Sequence, residues 1–229
     1  MLTPKKKITK KELKEDALVT SYVKATTYYE EHKRAISIGV TAFAVVVIAL
    51  IIYGKNRAEN NVSASTDLGS IYQFYDNGQY QIAIDGVPER NIKGLKSIVD
   101  DYGSSDAGDI ARFYLANAYY QLGKYDEALD QFKRFSPPDE TLEISRRSGI
   151  ACVYEAKGMP REAAENFEKA ADVNSKDVNA AENLSNAARN YAGAGEKEKA
   201  LDLLKKLKKT YPATVFGRDA DRGIAALSQ

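Results

Sequence analysis

The chain has 229 residues, of which 44% are hydrophobic and 28% charged, and its formal net charge is +1. Residues 1–34 hold nine Lys or Arg against five Asp or Glu, leaving 24 basic and 27 acidic residues for the rest. The short leading segment is therefore basic and the large remainder mildly acidic, which excludes a surface built for nucleic acid. One cysteine, Cys152, and one histidine, His32, exclude an intrachain disulfide and leave no way to assemble a zinc site or a Cys–His dyad.

Residues 1–8 are a basic tail with nothing to bury and are expected to be disordered. Thr9 and Glu12 stand at capping-box spacing. After them Leu18, Tyr22, Ala25 and Tyr29 share one helical face, which predicts a short amphipathic helix at the level of lipid headgroups. Ala35 to Tyr53 comes next, nineteen residues without a charge, bracketed by Lys33 and Arg34 before and Lys55 and Arg57 after. As a helix that run is about 28 Å long, close to the hydrocarbon thickness of a bilayer. A buried helix of a soluble core would be shorter and carry polar positions. A cleaved signal peptide would have a far shorter leading region, and Ser63-Ala64-Ser65 lies too far beyond Tyr53 to serve as its cleavage site.

The sequence thus predicts one membrane span. Nine basic residues precede it, and only Lys55 and Arg57 come after it before Arg90. The side richer in Lys and Arg stays in the cytoplasm, so the amino end is expected inside and the large domain outside. Residues 54–67, rich in Asn and Ser, are expected to form a linker.

From residue 68 the chain becomes self-similar. Gly123, Gly158 and Gly195 are spaced by 35 and 37, and Tyr119, Tyr154, Tyr191 and Ala128, Ala163, Ala200 keep the same spacings. Small residues such as Ala116, Ala128, Ala151 and Ala163 let paired helices approach closely, with Tyr119 and Phe132 filling the space beside them. Three repeats are expected at about 109–142, 144–178 and 181–213, with a closing helix at 215–227. Residues 68–103 read as a degenerate first copy. There Gly78, Tyr80 and Ala83 echo Gly123, Tyr125 and Ala128, but at a spacing of 45, and Gly86 and Pro88 break the helical pattern just after Ala83. The partner helix is expected later, with Leu95, Ile98 and Val99 facing inward.

The period and the order of large and small residues resemble the tetratricopeptide repeat, a helix–turn–helix unit of about 34 residues. Leu115, Ala116, Tyr119, Gly123, Ala128 and Phe132 match its pattern in the first full copy. Ile150, Ala151, Tyr154, Gly158, Ala163, Phe167 and Ala170 match it in the second, and Ala187, Ala188, Tyr191, Gly195, Ala200, Leu204 and Pro212 in the third. The tryptophan position departs in all three, being Arg112, Arg147 and Leu184. The fold class this predicts is all-α: a single N-terminal transmembrane helix followed by an α-solenoid of TPR-like repeats.

The resemblance implies that function lies on the concave face of the first, or A, helices. Register places Phe113, Asn117, Tyr120 and Gln121 there from the first full copy, Ser148, Cys152 and Glu155 from the second, and Glu182, Ser185 and Arg189 from the third. Some proteins of the family bind acidic carboxyl termini of chaperones through a clamp of Lys, Asn and Arg at these positions; only Asn117 matches here, so that ligand is not expected. The second, or B, helices carry solvated charge such as Glu127, Lys133, Glu165 and Lys169. Acid pairs such as Asp100 and Asp101 read as surface, and no phosphate loop, Gly-x-Ser-x-Gly or His-Glu-x-x-His motif is present. No enzyme activity and no cofactor are expected.

A basic tail, one span and an outward domain of about four repeats also resemble the bacterial membrane-anchored repeat proteins that associate with the SecYEG translocon. That implies a single-pass inner-membrane scaffold whose periplasmic domain holds protein partners, whether translocon, chaperone or exported polypeptide, and passes exported chains onward. The alternative is an accessory subunit of another inner-membrane complex, held through its transmembrane helix.

Overall fold

The computed structural model describes residues 10–228, with side chains from Val19 onward. The tail 1–8, the Thr9–Glu12 capping box and the Leu18 side chain lie outside the described residues. The chain divides into a compact unit ending at Asn56 and a second, Arg57–Gln229. The first described helix, α1, runs Lys10–Asp76 and contributes to both.

In the first unit α1 contains the one helical stretch among the described residues that is long and apolar enough to cross a membrane. Ile38, Phe43, Val46, Leu50 and Tyr53 are each more than half exposed, so among the described residues this run is not buried in a core. The expected amphipathic segment is continuous with it rather than a separate helix. Thr26 and Thr27 spend their hydroxyls on the Val23 carbonyl at 2.9 Å, and the Tyr28 ring stacks on His32 at 4.3 Å. Tyr22 and Tyr29 remain exposed.

The expected linker 54–67 is corrected: its residues are helical, within α1, and from Arg57 they belong to the second unit. The polar side chains are satisfied inside the helix, Ser65 Oγ donating to the Asn61 carbonyl at 2.8 Å and Thr66 Oγ1 to that of Val62 at 3.0 Å. Ala64 and Ile71 are fully buried, beside Ile84, Leu95, Ala111 and Leu115. Asn61 Oδ1 accepts from the Ala107 amide at 2.7 Å, and Arg57 pairs with Asp106 at 2.6 Å. Residues 57–76 are thus the A helix of the first repeat, and the repeat begins earlier than residue 68.

Its B helix is split. Helix α2 (Tyr80–Asp85) and helix α3 (Leu95–Tyr102) are separated by a hairpin of two strands, β1 (Gly86–Val87) and β2 (Ile92–Lys93), paired antiparallel as Gly86↔Lys93 and Val87↔Ile92. The insertion accounts for the long spacing between Gly78 and Gly123. Lys93 pins it, its ammonium donating to Asp101 at 2.6 Å and to the Tyr102 hydroxyl at 2.8 Å. Leu95, Ile98 and Val99 are buried, as the pattern predicted.

The remaining pairs are α4 (Asp106–Gln121) with α5 (Tyr125–Arg134), α6 (Glu140–Ala156) with α7 (Pro160–Val173), and α8 (Ala180–Gly193) with α9 (Lys197–Thr210), closed by α10 (Val215–Leu227). Four A-to-B turns share one geometry. At Gly78, Gly123, Gly158 and Gly195 φ is 72°, 72°, 71° and 79°. In each turn the glycine amide bonds the carbonyl three residues back and the next amide bonds the one five before it, as in Lys124 N to Tyr119 O at 2.9 Å. This is the Schellman ending of an α-helix, and its left-handed residue favours glycine. Ala116, Ala128, Ala151 and Ala163 are all fully buried between helices, and Phe132 is 1% exposed. Truncating such a phenylalanine costs about 3–5 kcal/mol. The result is an all-α solenoid of helix–turn–helix units.

Candidate binding face

Side-chain caps start α4 and α6. Ser105 Oγ accepts from the Gly108 amide at 3.1 Å, and Asp139 Oδ1 from that of Leu142 at 2.8 Å. These caps supply partners for amides that the first turn cannot satisfy.

On α4 the half-buried Phe113 rests its ring against Phe135 at 5.3 Å and Phe132 at 5.9 Å. Asn117 Nδ2 donates to its own helix, at the Phe113 carbonyl, 2.8 Å. Gln121 is exposed. The half-buried Tyr120 lies beside Tyr125 at 5.9 Å, and burial first, then Cys152, Tyr125 and Glu155, push its phenol pKa up.

Tyr120 therefore shares a neighbourhood with Cys152 and Glu155 of the next repeat. Burial raises the Cys152 thiol, Glu155 adds to the rise and Arg189 opposes it, so the thiol stays protonated at neutral pH. Glu155 on α6 pairs with Arg189 on α8. Ser148 Oγ on α6 donates to Asn183 Oδ1 on α8 at 2.9 Å. These contacts join Ser148 and Glu155 on α6 to Asn183 and Arg189 on α8, with Tyr120 of α4 within electrostatic reach of Cys152 and Glu155.

A cleft of about 210 Å³ opens where α6 meets α8, and Ser148, Cys152, Glu182, Asn183 and Asn186 line it. Asn183 was not among the residues expected from the sequence. It is 4% exposed, and its Nδ2 has no hydrogen-bond partner. The available signal was an asparagine on the face of Ala180, Leu184, Ala187 and Tyr191, all buried. A second cleft, of about 350 Å³, lies between α8 and α10; Ser185 and Arg189 edge it, and Ala188, Leu204, Phe216 and Leu227 make it largely apolar. Among the described residues no group of three or more His, Cys, Asp or Glu could hold a metal ion.

Models of the tetratricopeptide repeat match residues 99–140 and residues 182–214. The chain carries tetratricopeptide repeats. The matched segments contain α4 with α5 and α8 with α9; the first repeat and the α6–α7 repeat share the Schellman turn with them. Two solved structures of a Podosopora anserina protein, described as a kinesin light chain with nearly identical TPR-like repeats, are similar to the chain at 18% identity. They cover 72% of this chain and 84% and 85% of their own, with TM-scores of 0.55 and 0.56. At that identity the likeness shows the fold alone. No curated protein matches the chain by sequence.

Proposed function

We propose that the chain is a membrane-anchored scaffold that holds partner polypeptides on its A-helix face, without turnover. TPR repeats imply protein partners, and one helix is long and apolar enough to anchor them to a bilayer. The observation that carries the reading is continuity of the face: Ser148 with Asn183 and Glu155 with Arg189 join α6 to α8, and Ser148, Asn183 and Arg189 also border open clefts. An extended polypeptide has unpaired backbone donors and acceptors, which Asn, Ser and Tyr side chains can satisfy.

The excess of Lys and Arg before Ala35 supports a cytoplasmic amino end and a repeat domain on the opposite, periplasmic side of a bacterial inner membrane. On that side the partners would be the translocon, chaperones or exported chains. Exchanging Ala35–Tyr53 for an unrelated apolar span tests where binding resides. If the domain binds, the crosslinked partners in intact membranes stay the same. If the span supplies the binding, they are lost while the protein remains membrane-bound.

A further inference from the structure

The cleft between α6 and α8 holds a buried amide end without a protein partner and an exposed carboxylate outside any ion pair among the described residues. Asn183 Oδ1 is used by Ser148, while the Nδ2 hydrogens have no acceptor although the residue is 4% exposed. Turning the amide over gives Ser148 the nitrogen instead and leaves the oxygen without a donor, so one end is unspent either way. Burying an amide end without a partner destabilises a fold. The neighbours of Asn183 on its helix, Ala180, Ala181, Leu184 and Ala187, are all buried, so an apolar residue would suit the packing better. At the same cleft Glu182 is exposed and no Lys or Arg lies within ion-pair distance of it among the described residues.

Within the lining of the cleft the charge has one sign. Among the described residues Glu182 is the one charged group in the lining. Arg189, on the same helix, is already engaged by Glu155, and its Nη2 reaches Asn186 Oδ1 at 3.3 Å. An acidic ligand would therefore meet a carboxylate and no free cation. Ile144, Phe167 and Cys152 supply apolar wall, which suits the methylene stem of a long basic side chain. The volume of about 210 Å³ exceeds the about 30 Å³ that one water takes in the liquid, leaving room for a side chain and a stretch of backbone.

We infer that this cleft takes an extended polypeptide segment carrying Lys or Arg, with the Asn183 amide bonded to the segment's backbone and Glu182 facing its cation. The inference rests on the A-helix face being the binding surface and names the class of segment it selects. It is the reverse of an acidic-tail clamp.

The test uses the full chain in lipid nanodiscs and short fluorescent peptides that differ only in carrying Lys, Gln or Glu at the same positions, with affinity read by anisotropy. The Lys peptide should bind tightest and the Glu peptide weakest. Asn183→Leu should weaken the Lys and Gln peptides alike by about tenfold, and the exposed change Glu182→Gln should bring the Lys peptide to the level of the Gln peptide. Equal binding of all three, unchanged by either substitution, would mean the cleft holds only trapped water and would overturn the inference while leaving the binding face intact. Tightest binding of the Glu peptide would also overturn it. Failure of every peptide to bind would overturn it together with the binding-face reading.

Discussion

Gly149 on α6 lies against the ring of Phe132 on α5: a Cβ placed on Gly149 would stand 2.5 Å from Cζ. The helix backbone itself is the wall on which this core ring rests. Replacing a helical glycine by alanine ordinarily favours the helix by about 1 kcal/mol, but here the methyl must displace a ring that is 1% exposed. Overpacking of this kind costs about 1–3 kcal/mol, so Gly149→Ala is expected to lower the thermal midpoint by several degrees in circular dichroism. Gly69, inside α1 with no atom within 4 Å of where an added methyl would sit, is the control: Gly69→Ala should hold or raise the midpoint.

The start of the first repeat sets a second expectation. A fragment beginning at Arg57 retains the Arg57–Asp106 pair, the Asn61 bond to the Ala107 amide and buried Ala64. One beginning at Leu68 loses all three and uncovers Ile71, Leu95 and Ala111. The exposed ion pair adds little, about 0–1 kcal/mol, so the difference comes from the buried surface and the amide left without its acceptor. Thermal unfolding of the two fragments should place the shorter one lower. Equal midpoints would mean that residues 57–67 are no part of the repeat.

Alkaline stability reports on the aromatic cluster of that repeat. Tyr75 lies edge-on to Tyr114 at 5.0 Å and Tyr80 at 5.5 Å, and burial first, then these neighbouring phenols, raise its pKa to about 12. The folded state therefore holds the proton more tightly than the unfolded chain, whose tyrosines ionise near about 10. Its contribution is fully present below about pH 10 and is lost as pH rises through about 12. Tyr75→Phe should flatten part of the fall in thermal midpoint across that window, and leave the neutral-pH midpoint nearly unchanged.

The long apolar helix and the repeat turns were legible in the sequence because both are local. An uncharged apolar run declares itself without tertiary information, and a helix that ends in a left-handed residue favours glycine wherever the turn recurs. Residues 54–67 were not legible as helix. Their Ser, Thr and Asn read as loop until Ser65 and Thr66 are seen bonding back along the helix and Ala64 is seen buried. The long spacing after Gly78 signalled an insertion but could not show that it pairs as a hairpin. At the candidate site, register placed Ser148, Cys152, Glu155 and Arg189 in one neighbourhood, but it could not show that the half-buried Phe113 also packs on Phe132 and Phe135, because those contacts are made across helices. Asn183 escaped notice for the opposite reason: an asparagine on a helix reads as solvated until its burial is known.

Site-specific crosslinking decides most directly whether partners sit on the A helices, as proposed, or on the B helices. Photoreactive residues placed singly at exposed Gln121 and Glu182 on the A helices, and at exposed Lys133 and Lys169 on the B helices, test it in intact membranes. Protein crosslinks are expected from Gln121 and Glu182 and none from Lys133 and Lys169. Crosslinks confined to the two lysine positions, or equal from all four, would contradict binding on the A helices.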